Sequence, residues 1–191
     1  MDPTTGNVAL SGEHKISEIK REGALLVYKT LDGKPVIYYD AGISTFGSCA
    51  FDPEGDFFSD YDSQMIELPQ GQKTFTTFHV NLPKEKYDLY GPVQWDGTYM
   101  TAESPYRRPT IFRFTFSGST ATIVGETHLG REQGTRAYSW IDGNTVLSAY
   151  GRYDRRKRLP FWHYPKSGGT PYRRRDQIHL GWMITGIAGT R

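Results

Sequence analysis

At 191 residues the chain is long enough to bury a sizeable core as one domain. A formal net charge of +2 gives no bulk field to recruit nucleic acid or an anionic membrane. Cys49 is the single cysteine, so an intramolecular disulfide is excluded and the residue reads as a small buried hydrophobe. No apolar run approaches the roughly 18 residues of a membrane helix, and MDPTTGNVAL has no leader-peptide pattern.

In chain order, Asp2-Pro3-Thr4-Thr5-Gly6-Asn7 reads as a turn and Asn7 to Leu10 as a strand. Ser11 to Glu22 is a polar connection, in which HKISEIKRE is expected to form at most a turn or two of helix. Ala24 to Lys29 and Pro35 to Asp40 are strands around the turn Leu31-Asp32-Gly33-Lys34. Phe46 to Val80 then holds four short strands: Gly47 to Phe51, Asp56 to Tyr61, Gln64 to Leu68 and Phe75 to Val80. Asp52-Pro53-Glu54-Gly55 and Pro69-Gln70-Gly71 punctuate them, as expected of an up-and-down antiparallel sheet.

The unit recurs. Gly91 to Ala102 repeats the first hairpin and Ile111 to His128 the second, turning at Ser117-Gly118-Ser119. Ala137 to Tyr150 and Leu159 to Arg173 supply another set, around Asp142-Gly143-Asn144 and Lys166-Ser167-Gly168-Gly169. Leu180 to Ala188 has the look of a further first strand. The hairpin glycines Gly6, Gly55, Gly97 and Gly143 are 49, 42 and 46 residues apart, the period of a β-propeller blade. These glycines are structural, because tight hairpins require positive φ.

The expected architecture is all-β, a propeller of about four blades of four-stranded antiparallel sheet. Blade one is strands b-c-d at about 2–42, with later blades at about 43–82, 88–130 and 134–178 and a terminal inner strand at about 180–188. In one closure that terminal strand completes the first blade and shuts a four-bladed ring. In the other the chain is an arc of a larger propeller, with exposed sheet faces and a strand edge open to association. An all-β sandwich is the fold alternative, disfavoured by the repeat.

The phrases DPTTGN, CAFDPEGDFF, IELPQGQKTFTT, GPVQWDGTY, IFRFTFSGSTATIVGET, WIDGNTV and FWHYPKSGGTP resemble a bacterial family of NHL-like, lactonase-like β-propeller proteins. The resemblance covers about Asp2 to Pro171. It implies secreted or cell-envelope relatives with further blades ahead of the DPTTGN turn, and it implies no established catalytic activity. This chain departs from the family by starting at that turn and by its arginine-rich stretches, Gly151 to Arg158 and Tyr172 to Asp176.

A site is expected where the b-c and d-a loops of a propeller meet, at the channel mouth. Asp60, Tyr61, Asp62, Glu103, Tyr150 and Arg152 fall in the b-c loops and Tyr90 and Tyr138 in the d-a loops, with Tyr87, Asp88, Tyr106 and Arg136 beside them. An aromatic and charged rim suits a carbohydrate-type or peptide ligand, and ordinary polar loop tips account for the same residues. Asp60 and Asp62 flank Tyr61 and would share a side if extended.

The enzymatic alternative is a lactonase-like hydrolase of lactones or carbohydrate-derived substrates, using a divalent cation held by hard oxygen ligands at the mouth. The inner-strand ends, Thr45-Phe46, Tyr90 to Pro92, Arg136-Ala137 and Leu180, offer no carboxylate, so no catalytic or metal-ligating residue is assigned. His14, His79, His128, His163 and His179 lack zinc-binding spacing, an axial His–acid pair of the streptogramin-lyase kind is not in place, and G-x-S-x-G is absent. The basic cluster Arg152 to Arg158 with Arg173 to Arg175 is interleaved with Tyr153, Phe161 and Trp162 and could form a patch for polyanions, but a solvated outer rim is the better explanation, and nucleic acid is not the expected partner. The leading expectation is a non-catalytic scaffold for a ligand or protein partner, without a cofactor and capable of self-association through open sheet edges.

Overall fold

Strands Val8–Lys15 (β1), Arg21–Tyr28 (β2) and Val36–Asp40 (β3) pair antiparallel in sequence order. The computed structural model describes residues 1–83, 88–105, 109–129, 138–149, 159–165 and 173–175, and every regular element among them is a strand. The stretch expected to hold a turn or two of helix instead lengthens a hairpin, from Val8↔Tyr28 out to Lys15↔Arg21. Opposite charges meet across it. Arg21 Nη1 donates to both oxygens of Glu13, at 2.6 and 2.9 Å, and His14 Nδ1 lies 3.0 Å from Glu22 Oε1. Those cross-strand pairs favour the ladder. A short helix with only Ile16 and Ile19 to bury has no comparable support.

Eight strands follow: Cys49–Phe51 (β4), Phe57–Tyr61 (β5), Gln64–Leu68 (β6), Thr76–Val80 (β7), Val93–Trp95 (β8), Met100–Ser104 (β9), Thr110–Ser117 (β10) and Thr120–His128 (β11). They form one sheet in the order β4-β5-β6-β7-β11-β10-β9-β8. Each half is an antiparallel meander, and the halves are stitched by a short parallel bridge, Thr120↔His79 and Ala121↔Val80. The two free ends also approach, because Val93 N donates to Ser48 Oγ just ahead of β4. The result is a nearly closed, barrel-like sheet. Tyr138–Asp142 (β12), Thr145–Ala149 (β13), Leu159–His163 (β14) and Arg173–Arg175 (β15) make a last four-stranded sheet in sequence order. The expected Lys166–Gly169 turn, the Arg152–Arg158 cluster and the terminal strand Leu180–Ala188 lie outside the described residues.

Strand alternation sends side chains to two different cores. Phe58 and Met65 of the first half-sheet pack against Met100, Ala102, Phe112 and Phe114 of the second. Their strand neighbours Phe57 and Ile66 point the other way, onto Leu25 of the N-terminal sheet. Ile111, beside Phe112, turns towards Ile141, Val146 and Trp162 of the last sheet. Adjacent apolar pairs (Phe57-Phe58, Met65-Ile66, Ile111-Phe112) therefore mark strands buried on both faces, and the sheets stack in series. No helix among the described residues is long and apolar enough to cross a membrane.

The repeat read from the glycines is also visible in the turns. Gly6, Gly55, Gly97 and Gly143 all take positive φ, at 74°, 91°, 100° and 53°. An aspartate opens each of three such turns and gathers its N–H groups: Thr4 and Thr5 on Asp2, Asp56 on Asp52, Thr98 and Tyr99 on Asp96.

Candidate functional site

Asp60 is the penultimate residue of β5 and Glu103 of β9, matching places in the two half-sheets. Sequence reading put both in mouth loops; both are strand residues, 2% and 0% exposed. Their backbone carbonyls close the same contact: Asp60 O accepts Gly47 N, and Glu103 O accepts Gly91 N, each at 2.9 Å. The glycines are needed there. A Cβ on Gly47 would come 2.4 Å from Asp60 Oδ1, and one on Gly91 would come 2.6 Å from Glu103 Cβ.

The Glu103 carboxyl crosses to the last sheet. Its Oε2 accepts both Ser139 N at 3.1 Å and Ser139 Oγ at 2.6 Å. Gln94 of β8 reinforces this crossing: its Nε2 donates to Ser139 O at 3.0 Å, and its Oε1 accepts Ile141 N at 2.9 Å. The buried amide thus stands in for a ladder partner between β8 and β12, two strands of different sheets. Buried polar groups need such partners. Some lack them: Asp60 Oδ1, Glu103 Oε1, Ser104 Oγ and Ser148 Oγ are buried without a hydrogen bond.

Burial pushes both acids up, to about 7. For Glu103 the Ser139 hydroxyl and amide pull partly back; for Asp60 its own backbone and that of Ser48 do so. Neither has a charged partner among those influences. Beside Asp60, burial also raises the Cys49 thiol.

The remaining candidates are dispersed. Tyr61 is half-buried against the core under the N-terminal sheet, its hydroxyl 3.3 Å from Ser44 Oγ. Asp62 is not extended: Asp62 and Ser63 have φ of 46° and 62°, a two-residue turn joining β5 to β6, so sharing a side with Asp60 through extension does not apply. Tyr90 is 53% exposed. Tyr138 begins β12, while Tyr150 and Arg152, with Tyr106, Tyr87 and Arg136, lie outside the described residues. Among the described residues no group of three or more His, Cys, Asp or Glu is placed to hold a metal ion.

Sequence reasoning missed Ser48, Gln94 and Ser139. The signal available was a polar residue inside a very short apolar strand, as in Val93-Gln94-Trp95.

At the opposite strand ends, turns of neighbouring sheets touch. Gln70 Nε2 donates to Thr4 Oγ1, and Tyr164 Oη donates to Asp96 Oδ2 while the Arg113 guanidinium lies 5.5 Å from the Tyr164 ring centre. These contacts fasten sheets together.

The N-terminal sheet differs from the others. Its inner face is covered except at Val36, at the start of β3, but Leu10, Ile37 and Tyr39 on the outer face are 54%, 44% and 47% exposed. Moreover β1 is an edge strand, whereas β5, β9 and β13, which follow the same kind of turn, are each paired on both sides. Searches against protein-family models and against curated proteins find no match to this chain.

Proposed function

We propose that the chain is a non-catalytic interaction scaffold, built as propeller blades, whose working surface is the outer face and free edge of its N-terminal sheet. The observation that carries the reading is the bare apolar face of Leu10, Ile37 and Tyr39 beside the edge of β1, which no second strand pairs among the described residues and which is tied only near Ser11 and Gly12, to Gly47 O and Phe46 N. Equivalent faces of the half-sheets are covered by a neighbouring sheet. Exposed apolar faces and open edges together favour association.

The partner that fits is a sheet of the same repeat, offering one strand to pair with β1 and an apolar face to lie over Leu10 and Ile37. A second copy of this chain is the occupant we favour. Support for the blade reading comes from the meander order of the sheets, the recurring aspartate–glycine turns and the polar ties from β4 to β8 and from β8 to β12. The hydrolase alternative needs acids open to a substrate, and the two acids at matching positions are instead enclosed between sheets.

Sedimentation velocity of the wild-type chain and of a Leu10→Lys/Ile37→Lys variant tests the proposal. Association that disappears in the variant, with unfolding still cooperative, is the expected result. A wild-type monomer at every concentration would overturn it, and so would association indifferent to the two lysines.

A further inference from the structure

Asp60 shares the face of Met65, its cross-strand partner, and so looks into the core between the two half-sheets. Ser104, paired with Thr110 on the face of Phe112, looks into the same core from the other side. Glu103 looks into the next interface, where Ser139 and Ser148, directly opposite each other and on the face of Val146, look back at it. Each interface thus receives one carboxyl from the earlier sheet and serine from the later one. In each, one carboxyl oxygen and one serine hydroxyl have no partner.

We propose that these two interfaces are proton-gated: as neutral acids Asp60 and Glu103 let consecutive sheets close, and as carboxylates they loosen them. A neutral carboxyl can be enclosed between the sheets, as both acids are, without a counter-charge. A carboxylate in the same place needs a counter-charge, and an unpaired buried charge is costly. Among the described residues, Asp60 shares its face with Met65 on β6, the Ser48 backbone acts on its carboxyl, and its titratable neighbour is the Cys49 thiol on β4, which packs on the other face of the sheet. Glu103 is faced by Gln94 on β8, Ile111 on β10, Ser139 on β12 and Ser148 on β13, none of them charged; Arg113, the charged group on that face of β10, lies over the Tyr164 ring and is not among the influences on Glu103. The repetition matters. One buried acid is an isolated feature, but two at matching positions make successive interfaces respond together.

Both acids are held above their ordinary values, so the unfolded chain loses these protons first as pH rises. The stabilisation is therefore complete below about pH 4 and is lost as pH rises to about 7, by about tenfold in the folding equilibrium per pH unit for each acid. Above that the contribution is level.

Denaturant unfolding of the wild type, Asp60→Asn, Glu103→Gln and the double variant across this range is the test. It is read alongside exchange of the Ser139 amide, corrected for its intrinsic pH dependence. Each single variant should remove one proton's worth of slope, and the double variant should be flatter still. Ser139 should lose protection with rising pH in the wild type and not in Glu103→Gln. Variants that keep the wild-type slope would overturn the proposal, as would a wild type whose stability and Ser139 protection ignore pH. If Asp60→Asn does not fold, the wild-type exchange profile and Glu103→Gln still decide it.

Discussion

On one side of the N-terminal sheet, Leu25 is sealed against Phe57, Ile66 and Leu68, with Ala9, Val27 and Tyr38 packed around it. On the other side, Leu10, Ile37 and Tyr39 stand about half exposed. The side chains are alike and their strands are the same; only the cover differs. What the contrast teaches is that alternation commits both faces of a strand before anything commits the neighbour that covers them. In the middle sheets that neighbour is present twice, and stability resides there. At the N-terminal sheet it is present once among the described residues, and the second face stands half exposed.

The largest expected effect lies in the covered part. Phe112 is wholly buried between the half-sheets, so Phe112→Ala should cost about 3–5 kcal/mol in urea unfolding. A loss below about 1 kcal/mol would mean that this interface is not the core. Next comes Gly91→Ala, whose new methyl would lie 2.8 Å from Glu103 O. Backbone does not yield readily, and a destabilisation of about 1–3 kcal/mol is expected, again from urea unfolding.

Ser63→Gly should act in the opposite direction. Ser63 holds a φ of 62° in the β5–β6 turn, and relieving that left-handed strain should raise the thermal midpoint by the equivalent of about 1 kcal/mol. The smallest effect belongs to the bare face. Ile37→Ala, measured on dilute protein, should change stability by no more than about 0.5 kcal/mol. A cost like that of Phe112→Ala would show that the face is already covered.

Much of the fold was legible because its markers are local. The glycines at positive φ, the aspartates that open the turns and the β-branched and aromatic runs all lie within a few residues of the hairpins they specify. The lengthened β1–β2 hairpin was not legible, since its support is the Glu13–Arg21 and His14–Glu22 pairing across strands, whereas HKISEIKRE read alone offers only Ile16 and Ile19, at helical spacing, among polar residues. Nor was the fate of the two acids. Asp60 and Glu103 look like loop residues because each follows an apolar run and precedes a tyrosine or serine. Gly47 and Gly91 reach them from just ahead of the neighbouring strand of the same hairpin, but the cover over Glu103 depends on Ser139, brought close only by the stacking of whole sheets. Asp62 failed for a nearer reason: a two-residue turn imposes a left-handed backbone where extension had been considered.

The most direct test of the scaffold is hydrogen–deuterium exchange read by peptide across a dilution series. If a second copy covers the bare face, peptides spanning Val8–Lys15 and Val36–Asp40 should gain protection as concentration rises, while those from β5, β6 and β10 stay unchanged. Protection that does not depend on concentration, or that changes elsewhere and leaves β1 and β3 alone, would contradict the account.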